Sequence, residues 1–140
     1  MSGERLSGKC LCGAVRFTAA PEKREMGVCH CGMCRRWAGG VFMGVNCGST
    51  VKVEGEENLG VYASSGWAER CFCKKCGSTL FWRMRKGGMT VVSVQAFDCP
   101  ADFAFTSEIF IDEKPASYAF ANETHKMTGA EVMAMFAPKS

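Results

Sequence analysis

The sequence predicts a mainly β protein with one short helix near its C-terminus. Short runs of alternating or β-branched apolar residues recur along the chain, and each run ends at a group of turn-forming residues. Apolar residues at helical spacing, Val132, Met133 and Phe136, are found over residues 129–137. The length of 140 residues suits a single domain, residues 1–140, that closes its own hydrophobic core.

Turn-forming residues divide the chain into short elements. A turn over residues 8–13 presents the first two cysteines, and the charged segment 21–25 separates the first two strands. Residues 33–38 can form about one and a half turns of helix, which Gly39 and Gly40 end. Strands are predicted over residues 14–18, 26–28, 41–45, 51–53, 59–63, 67–72, 79–84, 89–97, 107–112 and 117–121.

The spacing of the cysteines predicts metal binding. Eight of the ten cysteines fall in three tight groups: Cys10 and Cys12; Cys29, Cys31 and Cys34; and Cys71, Cys73 and Cys76. Thiolates so close in the chain can converge on one soft cation at about 2.3 Å, which favours zinc. The spacings typical of ferredoxin clusters are absent. A disulfide framework is disfavoured, because a Cys-X-Cys pair is strained as a bridge and no secretory signal begins the chain.

The eight thiols allow one closed metal site and one open site. A structural zinc takes four protein ligands, whereas a catalytic zinc keeps one position free. The spacing alone allows Cys73 and Cys76 to pair either with Cys31 and Cys34 or with the first group. We favour the pairing with the first group, because the three thiols of residues 29–34 can surround a metal without outside help and leave one face uncovered.

Composition and charge limit where the protein is expected to occur and what kinds of molecule it could bind. The chain begins without the basic and apolar stretch of an export signal, so its thiols are expected in a reducing cytoplasm. Its longest apolar runs are too interrupted to cross a bilayer. The net charge is +3, and residues 1–97 hold 14 basic against 7 acidic side chains. This excess fits nucleic acid, a small anionic substrate or compensation of thiolate charge equally well.

Three motifs together resemble the glutathione-dependent formaldehyde-activating enzymes and their relatives, which share an Mss4-like fold. The motifs are GKCLCGAVRF at residues 8–17, CHCGMCRR at residues 29–36 and RCFCKKCGSTL at residues 70–80. The resemblance covers roughly residues 8–118. At two positions the chain differs from the usual family pattern: Glu108 stands where a histidine is common, and Tyr118 where a tryptophan is common.

The resemblance implies a fold, two zinc ions and an activity. The fold would consist of several coiled β-sheets around a structural zinc held by Cys10, Cys12, Cys73 and Cys76. A second, catalytic zinc would be held by Cys29, Cys31 and Cys34. The implied activity is that of a carbon–sulfur lyase of the S-(hydroxymethyl)glutathione synthase type, which joins glutathione to formaldehyde.

A zinc ion held by three thiolates is expected to prefer a thiol to water. Three thiolates make it a weak Lewis acid, and an incoming thiol with a pKa of about 8.5 would lose its proton beside the cation. Glutathione fits this role as a small thiol substrate. Its two carboxylates need cationic partners, and Arg35 and Arg36 are the nearest candidates in the sequence, with Arg83 and Arg85 as weaker ones.

Either of two further residues could supply a fourth ligand to the zinc ion expected at Cys29, Cys31 and Cys34. His30 lies between two ligands, but in extended backbone its side chain points away from them, so we expect it to pack or to support the site. Cys71 could compete as a ligand, and we expect that it does not bind. If either residue filled the fourth position, the chain would instead be a noncatalytic zinc module that binds protein or, less expected, nucleic acid. Cys47 and Cys99 are expected to be buried apolar thiols.

Overall fold

The computed structural model describes residues 4–136, which form eleven strands and two α-helices. Residues 1–3 and 137–140 of the predicted domain, including Ala137 of the predicted helix, lie outside the described residues. The strands are β1 (Leu6–Lys9), β2 (Arg16–Ala19), β3 (Glu25–Cys29), β4 (Phe42–Asn46), β5 (Lys52–Glu54), β6 (Leu59–Tyr62), β7 (Ala68–Cys73), β8 (Thr79–Met84), β9 (Thr90–Ser93), β10 (Ala104–Ile109) and β11 (His125–Met127). The helices are α1 (Gly32–Ala38) and α2 (Gly129–Phe136).

The mainly β prediction and the short C-terminal helix are confirmed. Most predicted strands are found within one or two residues of their expected bounds, and β8 coincides with the predicted strand at residues 79–84. The helical segment predicted over residues 33–38 is α1. Within residues 4–136, neither helix has the length and hydropathy that a bilayer crossing requires.

The strands form two sheets. β1, β2 and β5 make a three-stranded antiparallel sheet. The larger sheet has eight strands in the order β11-β10-β3-β4-β9-β8-β7-β6. β10 runs parallel to both β3 and β11, and the other neighbours are antiparallel. The pairing of β10 with β3 sets Ile109 opposite Cys29, so a late strand of the chain supports the second cysteine group.

A hydrophobic core joins the two sheets. Phe17 on β2 meets Phe81 on β8 edge-on at 5.2 Å between ring centroids, and it meets Phe97 at 5.3 Å. Such pairs add about 0.5–1.5 kcal/mol to the free energy gained by burying the rings. The close approach depends on Gly8, because a Cβ there would lie 2.3 Å from the Phe17 ring and 2.4 Å from the Ala96 carbonyl oxygen.

The strand predicted over residues 89–97 is shorter than expected. β9 ends at Ser93, and Val94–Ala96 form a 3₁₀ turn. Val94 and Phe97 are both buried, with 1% and 3% of their surface exposed. Residues three apart point to opposite faces in a strand but to the same side in a 3₁₀ turn. The turn therefore allows both side chains to enter the core.

The prediction of a strand over residues 117–121 is wrong, because this segment forms a turn and irregular backbone. The alternating aromatic residues of this segment make side-chain contacts, and the backbone does not form the hydrogen bonds of a strand. The Tyr118 ring stacks on the His30 ring at 5.5 Å, and the Phe120 ring packs edge-on against Phe105 at 5.1 Å. β1 and β11 carry no pattern that predicts them, because they are only three or four residues long and mostly polar.

Candidate metal centres

The first set of sulfur atoms, the four-cysteine group, consists of Cys10, Cys12, Cys73 and Cys76. Their Sγ atoms all lie within 4.8 Å of one another. The first two lie between β1 and β2, and the last two lie where β7 turns toward β8. Gly13 and Gly77 adopt φ values of 81° and 79°, which allow a tight turn after each pair. The four-cysteine group therefore connects a loop of the small sheet to a loop of the large one.

Hydrogen-bond donors surround these sulfur atoms. The Val15 amide donates to Cys10 Sγ at 3.3 Å. Ser78 Oγ lies 3.1 Å from Cys76 Sγ and accepts from the Leu11 amide at 2.9 Å. The Ser78 hydroxyl is the main reason that the pKa of Cys76 is lowered to about 5. Burial raises the pKa of Cys10, but the Val15 amide and the neighbouring thiols outweigh it, so the net shift is downward. These donors favour thiolates, the form that binds metal.

The spacing of the four-cysteine group fits a tetrahedral ion. Four sulfur atoms placed about 2.3 Å from a zinc ion at tetrahedral angles lie about 3.8 Å apart. Cys12 Sγ is 3.7 Å from Cys10 Sγ and 3.8 Å from Cys73 Sγ. Four soft sulfur donors at this spacing could hold a zinc ion.

The second set, the three-cysteine group, consists of Cys29, Cys31 and Cys34. Their Sγ atoms also lie within 4.8 Å of one another. Cys29 ends β3, and Cys31 is the N-cap of α1, where its sulfur accepts from the Cys34 amide at 3.3 Å. Cys34, in the first turn of α1, is buried with 4% of its surface exposed. A strand end and a helix start thus bring three sulfur atoms together.

Three sulfur atoms this close cannot all ionise without a cation. Hydrogen bonds with Cys31 and Cys34 raise the pKa of Cys29 far above its usual value. Hydrogen bonds from Cys29 and Cys34 lower the pKa of Cys31 to about 2. The group on its own therefore concentrates negative charge on one sulfur, because further thiolates would repel it. A bound dication would remove this repulsion, so the donor set fits a soft divalent metal.

Arg70 contacts the three-cysteine group, although the sequence does not single it out. Its Nη2 donates to Cys34 Sγ at 3.2 Å, and its Nη1 donates to Ser64 Oγ at 2.7 Å. The guanidinium lies 5.3 Å from the Trp37 ring centroid, and only 6% of Arg70 is exposed. A charge-assisted hydrogen bond of this kind stabilises a thiolate. Strand alternation could have identified Arg70, because it shares the buried face of β7 with Ala68.

The ring of His30 points away from the three sulfur atoms, as expected from extended backbone. His30 is fully buried; its Nε2 lies 2.8 Å from Glu108 Oε1 and its Nδ1 lies 2.8 Å from the Tyr118 hydroxyl. Glu108 also accepts from the Thr124 hydroxyl at 2.6 Å. Burial raises the pKa of Glu108, but the hydrogen bonds from Thr124 and His30 outweigh it and the net shift is downward. The two positions that differ from the family pattern, Glu108 and Tyr118, therefore meet at one imidazole.

Cys47, Cys71 and Cys99 lie outside both groups of sulfur atoms. Burial raises the pKa of Cys47 to about 12 and that of Cys71 to about 11, so both remain protonated thiols at neutral pH. The expectation of a buried thiol holds for Cys47, which is 2% exposed. It is wrong for Cys99, which is only half-buried because it precedes a short 3₁₀ turn at the surface.

An open cavity of about 850 Å³ lies beside the three-cysteine group, and all three cysteines line it. Of the two arginines predicted to bind a substrate carboxylate, Arg36 lines this cavity. Arg35 does not, because its Nε donates to the His30 carbonyl oxygen at 2.9 Å. Arg83 is held by Glu69 at 2.6 Å. The arrangement therefore offers a group of thiols that could bind a metal ion and that an incoming small molecule can reach.

Comparisons with known proteins identify the family of this chain. A family model described as glutathione-dependent formaldehyde-activating enzyme matches residues 5–113. An uncharacterised lyase of Schizosaccharomyces pombe is 39% identical over 127 residues, which cover 90% of this chain and 93% of that protein. A Halomonas elongata protein that carries the provisional name glutathione-dependent formaldehyde-activating enzyme is 35% identical over 85 residues, or 54% of each chain.

A solved structure resembles this protein in fold. The crystal structure of a Rhodobacter sphaeroides protein, a structural genomics target, aligns with a TM-score of 0.60 and 26% sequence identity. The alignment covers 72% of this chain and 100% of that chain. The family match spans both cysteine groups and most of the chain. The protein therefore belongs to the family of glutathione-dependent formaldehyde-activating enzymes.

Proposed function

We propose that this enzyme is a zinc-dependent carbon–sulfur lyase that joins a small thiol such as glutathione to formaldehyde and splits the adduct in the reverse direction. This is the reaction of S-(hydroxymethyl)glutathione synthase. The thiol sulfur forms a bond to the carbonyl carbon, the C=O bond becomes C–OH, and the thiol proton passes to that oxygen. The observation that carries the proposal is the contrast between the two cysteine groups: one joins two sheets, and the other lines an open cavity.

The two groups would hold zinc ions with different roles. The four-cysteine group would provide a complete tetrahedral set and hold a structural ion. The three-cysteine group would hold a catalytic ion and leave one position open to the cavity. When bound there, the ion supplies a positive charge that allows the incoming thiol to lose its proton near neutral pH.

Side chains around the three-cysteine group would prepare it for this chemistry. Arg70 donates to Cys34 Sγ and so favours its thiolate form. Cys31 is the N-cap of α1, and its sulfur is held in place because it accepts a hydrogen bond from the Cys34 amide. Arg36 is exposed on the cavity lining and would bind a carboxylate of glutathione. Arg35 does not line the cavity, and its Nε donates to the His30 carbonyl oxygen, so it is the weaker candidate for this role.

Metal content and exchange kinetics test the proposal. We expect two zinc ions per chain by elemental analysis. Magnetisation-exchange NMR should show that the enzyme accelerates the equilibrium between glutathione, formaldehyde and their adduct. Cys34→Ser should lose one zinc ion and the acceleration while retaining the circular dichroism of the native fold. Cys99→Ser makes the same change at a half-buried thiol outside both groups and should retain both zinc ions and the acceleration.

Other outcomes would contradict the proposal. If Cys34→Ser unfolds as severely as Cys76→Ser, both groups are structural, and the noncatalytic zinc module becomes the better interpretation. The noncatalytic zinc module is also the better interpretation if the wild-type protein leaves the exchange rate unchanged. Binding to RNA or DNA that weakens steeply with salt would then identify the module's partner as nucleic acid.

A further inference from the structure

The cavity beside the three-cysteine group is larger than formaldehyde requires. Its volume of about 850 Å³ lies in the upper part of the range for sites that enclose drug-sized ligands, roughly 300–1,000 Å³. Formaldehyde contributes a single carbon atom to the adduct. Most of the cavity must therefore accommodate some other part of the substrate.

The wall of the cavity is rich in large apolar side chains, three of which form an aromatic wall: Trp67, Trp82 and Phe136. The Trp67 ring meets Trp82 edge-on at 5.4 Å and Phe136 at 6.0 Å. Trp67 is 39% exposed, and Phe136 and Met133 on α2 are 42% and 47% exposed. Large apolar side chains left open together in a concave site indicate a ligand with an apolar surface.

The charges of the cavity do not match a fully enclosed glutathione molecule. The charged residues among its described lining are Glu25, Glu113, Arg36 and Arg70. Arg70 is buried and already donates to Cys34 and Ser64. Glutathione carries two carboxylates and one ammonium group. One acid of the lining could pair with the ammonium group, but the two carboxylates would have to share Arg36 and face the other acid. A polar thiol of this kind fits at the rim, and the interior suits an uncharged group.

We propose that the cavity binds an apolar group of the substrate, so that the preferred adduct of this lyase carries an aromatic or medium-chain alkyl group. The inference rests on the proposed function, because the reacting carbon must lie beside the three-cysteine group. The reaction stays balanced: a C–S bond forms, C=O becomes C–OH, the thiol proton moves to oxygen, and nothing is oxidised or reduced. The apolar group enters with the aldehyde or with the thiol, and both give the same contacts.

Exchange kinetics with three substrate pairs test this inference. The pairs are glutathione with formaldehyde, glutathione with phenylacetaldehyde, and 2-phenylethanethiol with formaldehyde. We expect kcat/KM for one of the last two pairs to exceed that of the first at least about tenfold, since each buried methylene group contributes about fourfold. The faster pair identifies which reactant carries the apolar group.

Two methionines on α2 provide a matched pair of variants. Met133 lines the cavity, whereas Met135 does not and is 69% exposed. Met133→Ala should lower kcat/KM for the preferred apolar pair by about fivefold, and Met135→Ala should change it by less than about twofold. Trp67→Ala should lower it by about tenfold or more, and by a larger factor than for glutathione with formaldehyde.

Specific results would overturn the inference. If the enzyme accelerates glutathione with formaldehyde as well as it does the apolar pairs, the cavity does not select an apolar group, although the proposed function stands. If no pair is accelerated, the proposed function fails as well. If Met133→Ala and Trp67→Ala convert a dimer into a monomer in sedimentation velocity without changing substrate preference, the apolar surface binds a second copy of the chain instead.

Discussion

Substitution of Arg70 should weaken zinc binding at the three-cysteine group and not at the four-cysteine group. Its guanidinium donates to Cys34 Sγ from a buried position, so it stabilises the thiolate without being a ligand. Removing a group that supports a ligand typically lowers metal affinity 10–100-fold. Arg70→Met should therefore weaken zinc binding at the three-cysteine group by about this factor and leave the four-cysteine group unchanged. Competition with a chromogenic chelator measures both affinities.

A neighbouring arginine provides the control. Arg83 lies on β8 and pairs with Glu69 at 2.6 Å. Arg83→Met should leave both zinc affinities within about twofold, because a partly exposed ion pair contributes little. Equal weakening in Arg70→Met and Arg83→Met would show that Arg70 acts through general stability and not through Cys34.

Glu108 should matter for stability more than any exposed acid. It is 1% exposed and accepts from Thr124 and from the His30 ring. Glu108→Ala leaves the fully buried His30 ring and the partly buried Thr124 hydroxyl without this acceptor, so the free energy of unfolding should fall by about 2–4 kcal/mol. Glu108→Gln retains an acceptor oxygen and should cost less. Urea denaturation of the zinc-loaded protein measures both changes.

The exposed Glu113 is the comparison for Glu108. It accepts one hydrogen bond from the Gly32 amide at 3.0 Å. Glu113→Ala should lower the free energy of unfolding by less than about 1 kcal/mol, because water can replace an exposed acceptor. A loss as small as this for Glu108→Ala would mean that the His30 environment does not depend on its carboxylate.

At the scale of elements, α2 links fold stability to the apolar cavity. Its N-terminus is a capping box, in which the Thr128 amide donates to Glu131 Oε1 at 2.9 Å and the Glu131 amide donates to Thr128 Oγ1 at 3.2 Å. The Gly129 amide also donates to Asp112 Oδ1 at 2.8 Å. These contacts hold the helix that carries Met133 and Phe136 onto the cavity wall.

Thr128→Ala should loosen this helix. Loss of an N-cap hydroxyl typically costs about 1 kcal/mol, so hydrogen exchange of the α2 amides should become about fivefold faster. Glu131→Gln preserves the reciprocal acceptor of the capping box and should leave exchange nearly unchanged. Unaltered exchange in Thr128→Ala would indicate that packing alone holds α2.

At the scale of the whole molecule, the four-cysteine group brings loops of the two sheets together, and a metal ion bound there would cross-link them. It joins the β1–β2 loop to the end of β7, and Cys12 and Cys73 are 61 residues apart in the chain. A metal ion held by all four sulfur atoms would stabilise the folded state by its binding free energy, because the unfolded chain does not hold these atoms together. Cys12→Ser should therefore lower the free energy of unfolding by at least about 3 kcal/mol, although its side chain is exposed.

A substitution at the adjacent residue, Leu11, distinguishes the loss of a metal ligand from a general disturbance of the loop. Leu11 is 86% exposed between the two cysteines, so Leu11→Ala should change the free energy of unfolding by less than about 0.5 kcal/mol. Thermal unfolding with one equivalent of added zinc measures both variants. A Tm for Cys12→Ser equal to that of Leu11→Ala would show that the core alone holds the sheets together.

The sequence by itself determined the mainly β class, the C-terminal helix and the three clusters of cysteines, because these depend on patterns within a few residues. Which clusters come together was left open by spacing and is a property of the folded chain. Strand alternation and Cys-X-Cys or Cys-X-X-Cys spacing are local properties. The local signal failed where burial overrode it. β9 ends early so that Val94 and Phe97 can share the core, and Tyr118 stacks on the His30 ring while its own backbone joins no strand.

Only the tertiary structure decided what surrounds the three sulfur atoms. Arg70 lies 36 residues from Cys34, and Glu108 and Tyr118 lie 78 and 88 residues from His30. No spacing rule relates positions so far apart, because their contacts depend on strand order, above all on β10 pairing with β3. The cavity has the same origin: its aromatic wall combines β8, the loop before β7 and a helix at the end of the chain.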